Sequence, residues 1–299
     1  MVEVATLGHM LYDIRCYVDE FPKPDKTSFI QGSIRASGGG SAANVAADLE
    51  LLGHNSAFIG NVGTDRHGKY LIHDLHRQGV DTRGVNIVSG ETGVAIVLVN
   101  PKAEVEVVEM LGVSEPVKGI DESIIREAKA LHMTSCNPEA LLKAGAMAKK
   151  AGLLITFDPG RSTSRLGTKK LSQVLKYSDY LILNRHELAQ LSGMQDTEKA
   201  ARKVSKDFDV TCVIKAGKDP VIVAGRRGEH FRVTPVPVTP IDTIGAGDAF
   251  CAGLLAGLLE GKSLEKSVRF ANIVAAAKVL VRGARLRRSR EEIQKKFGV

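Results

Sequence analysis

Tryptophan is absent from this sequence of 299 residues, and aromatic residues make up only 5% of it. No run of about 18 or more apolar residues occurs, so we expect no membrane-spanning helix and no membrane partner. The amino terminus also lacks the basic and then apolar segments of a secretion signal. The cysteines form no CxxC pair, and we interpret them as reduced, mostly buried thiols of a cytoplasmic protein: Cys16, Cys136, Cys212 and Cys251.

The composition is otherwise that of an ordinary globular protein, with 43% hydrophobic and 25% charged residues. This length suits one large domain, or a domain plus a smaller one. The net charge is +7, and part of the excess lies between residues 282 and 296. Nucleic-acid binding is one interpretation, but no aromatic residues interleave with these charges and no binding motif accompanies them. A solvated helix that also favours a nearby anionic nucleotide is the better interpretation, so we expect no nucleic-acid partner.

Helical patterns alternate with short apolar strands from residue 121 onward. Such alternation is typical of a parallel sheet that is covered by helices on both faces. Residues 14–36 and 84–110, in contrast, are rich in β-type residues that alternate with polar ones. We therefore predict an α/β fold with a central, mostly parallel sheet. Residues 1–299 would form a single domain, and the segments at about 14–36 and 84–110 would form a small, discontinuous β-lid.

The most informative stretch runs from Asp242 to Leu255 and contains Gly245-Ala246-Gly247-Asp248 before an apolar helical pattern. A helix that begins there directs several unpaired N–H groups and the positive end of its dipole at one spot, which suits a phosphate. A carboxylate beside that spot repels phosphate, but it can take a proton from a hydroxyl that attacks the phosphorus. The alternative is a glycine-rich turn in which Asp248 only favours the helix terminus.

Two further stretches carry polar groups that suit a phosphotransfer site. Gly38, Gly39 and Asn44 combine close backbone approach with a side chain that donates and accepts, which suits a polyol; the alternative is a turn that enters a packed helix. Asn184 and Glu187 follow an apolar strand and can orient water around Mg²⁺ and phosphate. An N-capped helix is the alternative for that pair.

The Asp242–Leu255 stretch resembles the carboxyl-terminal signature of the ribokinase-like (PfkB) carbohydrate and nucleoside kinases. The stretch that contains Asn44, Gly53 and Gly63 is similar to the amino-terminal signature of the same family, and the two lie about 200 residues apart in the family's order. The resemblance covers nearly the whole chain. It implies a three-layer α/β/α fold, ATP and Mg²⁺ as cofactors, and a sugar or nucleoside substrate. Separately, the half-polar strands of the lid suggest a homodimer through the lid.

The resemblance also implies roles for individual residues. Asp248 is the catalytic base, and the amides of Gly245, Ala246 and Gly247 form the anion hole. The residues assigned to the acceptor are Asp13, Gly38, Gly39, Asn44 and Arg161. The nucleotide and the phosphate path are assigned to Asp158, Asn184, Glu187, Lys215, Gly217 and Asn272, with Glu187 acting on Mg²⁺ through water. The family often holds a monovalent cation near Asp242, but Arg285 or Arg287 of this chain could replace it.

Departures from the family pattern leave the acceptor open. Leu11 stands where true ribokinases place an asparagine, which favours another sugar or a nucleoside over free ribose. Pro220 replaces the second glycine of the nucleotide loop, so that turn must differ. A sugar kinase and a nucleoside kinase are therefore both retained, and a sensor that binds without turnover is a third alternative.

Overall fold

The computed structural model describes residues 2–298. Within this range a nine-stranded sheet has the order β13-β12-β11-β10-β9-β8-β1-β4-β5, and a four-stranded sheet has the order β3-β2-β6-β7. The strands are β1 Val4–Leu7, β2 Leu11–Tyr17, β3 Arg35–Gly39, β4 Ser56–Gly63, β5 Val85–Val88, β6 Thr92–Val99, β7 Val105–Gly112, β8 Ala130–Met133, β9 Leu154–Phe157, β10 Tyr180–Asn184, β11 Thr211–Lys215, β12 Val221–Ala224 and β13 His230–Val233.

The large sheet is parallel from β5 to β11, and β12 and β13 extend it as antiparallel strands. Val4 of β1 pairs with Ser56 on one side and with Ala130 on the other, so the strand order reverses at β1. Ligands of open α/β sheets bind beyond the carboxyl ends of the strands at such a reversal. The fold therefore predicts the site from topology alone.

Helices cover both faces of the large sheet. In the described residues they are α1 Ser41–Leu51, α2 Arg66–Arg77, α3 Glu122–Glu127, α4 Pro138–Lys150, α5 Gly160–Ser164, α6 Gly167–Tyr177, α7 Arg185–Ser192, α8 Thr197–Phe208, α9 Ala246–Leu259, α10 Leu264–Val279 and α11 Arg290–Phe297.

Neighbouring residues of β1 show how the layers form. Val4 packs in a cluster with Leu49 of α1 and Leu254 of α9, whereas Ala5 packs in a second cluster with Leu141 of α4. Successive side chains of a strand point to opposite faces, so each strand contributes to both clusters. The near-continuous apolar strands of the sequence are explained by this double burial, and the predicted three-layer α/β/α fold with a separate small sheet is confirmed.

The small sheet consists of β2, β3, β6 and β7, in which β2 pairs antiparallel with β3 and parallel with β6. One predicted part of the lid is wrong, because Val85–Val88 lies at the edge of the large sheet beside β4. An edge strand is exposed on one side, so its residues alternate in polarity as those of a lid strand do. The small sheet also begins earlier than predicted, at Leu11, and most of residues 18–34 is irregular.

Helix α5, directly after β9, was not predicted. The cysteines are free and buried, as expected. No helix within residues 2–298 is both long enough and apolar enough to cross a membrane.

Candidate active site

The polar residues singled out in the sequence meet where the parallel strands end. Asp158 follows β9, Asn184 ends β10 and Lys215 ends β11. Helix α9, which carries Asp248, begins on the same side, because Lys215 Nζ would lie 3.1 Å from a β-carbon placed on Gly247. Topology, not proximity in the chain, brings these groups together.

A glycine is required at the entry to α9. Gly245 is the residue before the helix and has φ +74°, a left-handed conformation that favours glycine. A β-carbon there would lie only 1.7 Å from the carbonyl oxygen of Ala284, so the backbones of two distant segments are in direct contact. The sequence identified this glycine through the anion hole, but the structure adds a packing reason for it.

The predicted anion hole needs one correction. The Ala246 amide donates to the carbonyl oxygen of Thr243 at 3.2 Å, so it is already engaged within the turn. The first N–H groups of a helix have no intrahelical acceptor, which leaves the amides of Gly245, Gly247 and Asp248 as the donors that can face an anion. The dipole of the 14-residue helix α9 adds positive potential at this point.

Asp248 lies in the first turn of α9 and is half-buried. Asn44 Nδ2 donates to Asp248 Oδ2 at 2.8 Å across 204 residues of sequence. Loss of solvent raises the pKa of Asp248, and the nearby charge of Asp158 adds to this effect, whereas the hydrogen bond from Asn44 and the charge of Lys215 oppose it. The carboxylate is thus oriented by a neutral amide and is a better proton acceptor than one in water.

Asn44 is itself held in place by Arg285, for which the sequence predicted another position. Arg285 Nε donates to Asn44 Oδ1 at 3.0 Å, and Arg285 Nη1 donates to Asp74 Oδ2 at 2.6 Å. Both ends of the Asn44 side chain are therefore used by the protein, and its assignment to the acceptor stays a prediction. Arg285 was expected at a monovalent cation site, but it lies in this chain of hydrogen bonds instead.

Asp13 of β2 and Gly39 of β3 lie close together as diagonal neighbours on adjacent strands of the lid. Asp13 is 6% exposed, and a β-carbon on Gly39 would lie 2.1 Å from its Oδ1, so a larger residue at position 39 would displace the carboxyl group. Burial raises the pKa of Asp13 to about 7, although the charges of Arg15 and Arg285 oppose the shift. The neighbouring Gly38 is similarly tight, because a β-carbon there would lie 2.5 Å from Asp74 Oδ2.

Lys215 and Asp158 form a close ion pair on the nucleotide side, with 2.5 Å between Nζ and Oδ2. Burial opposes the charge on Lys215, but the carboxylates of Asp158 and Glu187 raise its pKa above the usual value. Burial also raises the pKa of Glu187, and the charge of Asp158 adds to the shift. Cys251 Sγ lies 3.5 Å from Asp158 Oδ2 and completes the packing of this group.

Asn184 and Glu187 form a capping box at the start of α7. Glu187 N donates to Asn184 Oδ1 at 2.9 Å, and Asn184 N donates to Glu187 Oε2 at 2.7 Å. The N-capped helix that was the alternative for this pair is therefore present, and the capping box fixes the two side chains at the carboxyl end of β10. Their proposed role on Mg²⁺ and phosphate is compatible with it and stays a prediction.

Three other predicted residues lie at the margin of this group. Gly217 is exposed in the turn between β11 and β12 and has φ +62°. Asn272 is 7% exposed on α10, and its Nδ2 lies 3.5 Å from the carbonyl oxygen of Thr234. Arg161, which was assigned to the acceptor, lies exposed on α5, and its charge acts on Glu187.

Asp242 joins three segments and has no exposed surface. Its carboxylate accepts from Tyr17 Oη at 3.1 Å and from the amides of Gly283 and Ile244 at 2.9 and 3.0 Å. Lys278 is also fully buried, and its Nζ donates to the carbonyl oxygen of Asp242 at 2.9 Å. A lysine within the apolar run of α10 was the sequence signal that could have identified it.

A surface groove of about 350 Å³ lies elsewhere, lined by Lys149, Tyr180 and Arg226 among others. Tyr180 is the first residue of β10, so this groove is at the amino-terminal end of the sheet. The charged groups described above lie at the opposite, carboxyl-terminal end of the strands, so the groove is not part of the candidate site.

Comparisons with known proteins identify the family of this chain. The model of the pfkB family carbohydrate kinases matches residues 1–290. This chain belongs to that family. It is therefore an ATP-dependent sugar or nucleoside kinase, as the two sequence signatures indicated.

Individual relatives of the kinase differ in their acceptors. It is 40% identical over 289 residues to an ATP-dependent ribose-1-phosphate kinase of Halopiger xanaduensis, which covers 95% of this chain and 94% of that protein. It is 26% identical over 278 residues to a nucleoside kinase of Methanothermobacter thermautotrophicus, with 92% and 88% covered. The ribokinase structure of Thermotoga maritima superimposes with a TM-score of 0.85 at 25% identity and covers both chains completely.

Proposed function

We propose that this kinase transfers the γ-phosphoryl group of ATP to a primary hydroxyl of a sugar, with Asp248 as general base. The observation that carries the proposal is the position of Asp248 in the first turn of α9. Its carboxylate is oriented by Asn44 at 2.8 Å, beside helix amides that suit a phosphate. A carboxylate in that place serves the attacking hydroxyl and not the phosphate.

The reaction follows from these positions. Asp248 accepts the proton of the primary hydroxyl as the hydroxyl oxygen forms its bond to the γ-phosphorus, and the bond from that phosphorus to the β,γ-bridging oxygen breaks to release ADP. Negative charge on the transferring oxygens is stabilised by the amides of Gly245 and Gly247 and by the ammonium group of Lys215. Asp158 holds Lys215 in place through the 2.5 Å ion pair.

The residues on the nucleotide side fit Mg²⁺. Burial raises the pKa of Glu187, and the charge of Asp158 adds to the shift, so added positive charge near the Glu187 carboxylate is favourable. Glu187 would hold the ion through water, since Mg²⁺ retains most of its waters. When bound, the ion neutralises charge on the nucleotide phosphates. Asn184, Gly217 and Asn272 are proposed to contact the nucleotide, and Arg161 to contact the phosphate path.

The monovalent cation is replaced in this proposal by Lys278. Its ammonium group donates to the carbonyl oxygen of Asp242, and the Asp242 carboxylate is already supplied with donors from Tyr17, Gly283 and Ile244. A fixed positive charge therefore lies next to the loop that enters α9. We expect no potassium requirement.

Substitution of Asp248 by asparagine tests the catalytic assignment. The asparagine keeps the shape of the side chain, and its carbonyl oxygen can still accept from Asn44. The turnover number should fall about 10²- to 10⁴-fold, whereas ATP affinity should be unchanged. Release of ADP is measured with ribose, fructose, ribose 1-phosphate, inosine and adenosine. Near-normal turnover by the variant refutes the base, and no ADP release by the wild type with any acceptor favours the sensor alternative.

A nucleoside acceptor is the second candidate, and Leu11 is the observation that favours it. Leu11 lies 4% exposed in an apolar cluster with Ala95 and Val97 on the lid, where a ribokinase would present an asparagine. The relative named nucleoside kinase supports this alternative, and the relative named ribose-1-phosphate kinase supports a sugar. The same acceptor panel separates them by kcat/KM.

The lid also supports the proposal of a homodimer. Ile96, Val108 and Met110 are between 43% and 65% exposed, and the register of β6 with β7 places them on one face. A second copy of the same sheet would cover this apolar face. Sedimentation velocity should show a dimer that Val108→Lys dissociates; a wild-type monomer would rule it out.

A further inference from the structure

Arg15 is a buried cation whose position needs an explanation. It is 3% exposed, and within residues 2–298 its Nε and Nη2 have no hydrogen-bond partner. The closest carboxylate oxygen, Asp13 Oδ2, lies 3.8 Å from Nη2, which is longer than a hydrogen bond. A buried guanidinium group without hydrogen bonds is costly, so such a group is expected where a ligand supplies the missing acceptors.

The lid places Arg15 next to the acceptor. Residues two apart on a strand share a face, so Arg15 lies on the same face of β2 as Asp13, about 7 Å further along the strand. Arg15 also pairs directly with Arg35 across the antiparallel β2–β3 ladder. Like charges directly opposite each other destabilise a sheet, and an anion between them removes that repulsion.

The loop before α11 brings a further arginine to the same place. A β-carbon on Gly283 would lie 3.7 Å from Arg15 Nη1 and 3.7 Å from Arg287 Nη2, so the two guanidinium groups are separated by no more than twice that distance. One phosphate that binds through two of its oxygens can bridge such a gap. Arg287 is exposed and therefore free to move onto a ligand.

The carboxylates around this cluster are fewer than its arginines, and some of them already have partners. Asp242 accepts from three donors, as described above, and burial raises the pKa of Asp13 to about 7, so only part of its population is charged at neutral pH. Glu109 lies across from Ala95, which pairs with Asp13, and its charge acts on Asp13. The region therefore keeps excess positive charge on the side of Arg15, Arg35 and Arg287.

The position fits one part of a sugar acceptor. An acceptor with its primary hydroxyl at Asp248 and its ring hydroxyls at Asp13 directs its anomeric substituent away from Asp248. A nucleobase would put apolar ring edges against the arginines, whereas a phosphate would satisfy them. We propose that Arg15 and Arg287, with Arg35 adjacent, bind the phosphate of an acceptor that is a sugar 1-phosphate. This inference rests on the proposed function, because it assumes that the acceptor lies between Asp13 and Asp248.

The first measurement is the ratio of kcat/KM for ribose 1-phosphate to kcat/KM for ribose. The wild type should prefer ribose 1-phosphate, and Arg15→Met should lower the ratio about 10- to 100-fold, as expected for loss of charged hydrogen bonds. Arg126→Met is the matched control, because Arg126 is an exposed arginine of α3 that pairs only with Glu122 in the described residues. It removes the same charge and should leave the ratio unchanged.

Calorimetric titration of ribose 1-phosphate without ATP gives a readout that does not depend on turnover. Its affinity should fall in Arg15→Met and be unchanged in Arg126→Met. Should Arg15→Met fail to fold, Arg287→Met decides, since that side chain is exposed. Equal use of ribose and ribose 1-phosphate by the wild type, or an unchanged ratio in both variants, overturns the phosphate site while the kinase assignment stands. Binding of ribose 1-phosphate without ADP release from any acceptor supports the site and refutes the proposed function.

Discussion

Replacement of Gly245 by alanine should lower both the free energy of unfolding and the turnover number, because this glycine is in direct contact with the backbone of Ala284. Its β-carbon would lie 1.7 Å from the carbonyl oxygen of Ala284, and real β-carbons do not approach closer than 3.0 Å. The segment around Ala284 must therefore withdraw by at least 1.3 Å. The left-handed φ of +74° adds strain of about 1 kcal/mol for alanine.

The withdrawal should propagate to the base through one residue. Arg285 follows Ala284 directly and holds Asn44 Oδ1 at 3.0 Å, and Asn44 in turn holds Asp248 at 2.8 Å. A shift of more than 1 Å breaks the first of these hydrogen bonds, and misplacement of that size costs about 100-fold in rate. We expect a loss of about 3 kcal/mol or more in the free energy of unfolding, from strain and displaced packing together.

Gly193→Ala provides the matched control. Gly193 also has a left-handed φ, +71°, but no atom lies within 4 Å of a β-carbon placed there. It should lose only about 1 kcal/mol in urea unfolding and keep its kcat. If Gly245→Ala behaves like Gly193→Ala in both unfolding and kcat, the contact with Ala284 is not rigid and the coupling to Asp248 is wrong.

The remaining predictions concern charge. Asp13 has a pKa of about 7 because it is buried, so its carboxylate forms as pH rises through 7 and the KM for ribose should fall over that range; Asp13→Asn should abolish the pH dependence. Burial lowers the pKa of Lys278 to about 8, so the group is charged at pH 7 and loses its proton above pH 8. The kcat at pH 7 should therefore be the same in potassium and in tetramethylammonium salts, and it should fall above pH 8; activation by potassium at pH 7 would contradict this. Lys278→Met should lower kcat even at pH 7.

The sequence predicted those features that local patterns and family signatures record. The alternation of helices and strands predicted the layered fold, and the motif around Asp248 predicted the start of helix α9 and suggested the proposed base. The predicted lid included Val85–Val88 because an edge strand and a lid strand share the same one-sided polarity. Nothing within a short window distinguishes the two sheets that such a strand can join.

Side-chain contacts between residues far apart in the chain could not be predicted from the sequence. The bonds from Asn44 to Asp248 and from Arg285 to Asn44 span 204 and 241 residues. Arg285 and Arg287 were the sequence candidates for a positive charge near Asp242, whereas in the structure Lys278 contacts Asp242 and Arg285 contacts Asn44 and Asp74. The pair Asn184 and Glu187 illustrates a different limit, because one pattern fits both a capping box and a phosphate-binding role.

The arrangement of charges is compatible with the proposed role of Asp248 as a base, although two cations lie near it. A carboxylate in direct contact with a cation has a lowered pKa and accepts a proton poorly. Here each cation has a carboxylate of its own, Asp74 for Arg285 at 2.6 Å and Asp158 for Lys215 at 2.5 Å. Only the neutral amide of Asn44 stands between Arg285 and Asp248. In the proposed mechanism the base is thus oriented by hydrogen bonds, and direct positive charge is left for the phosphates.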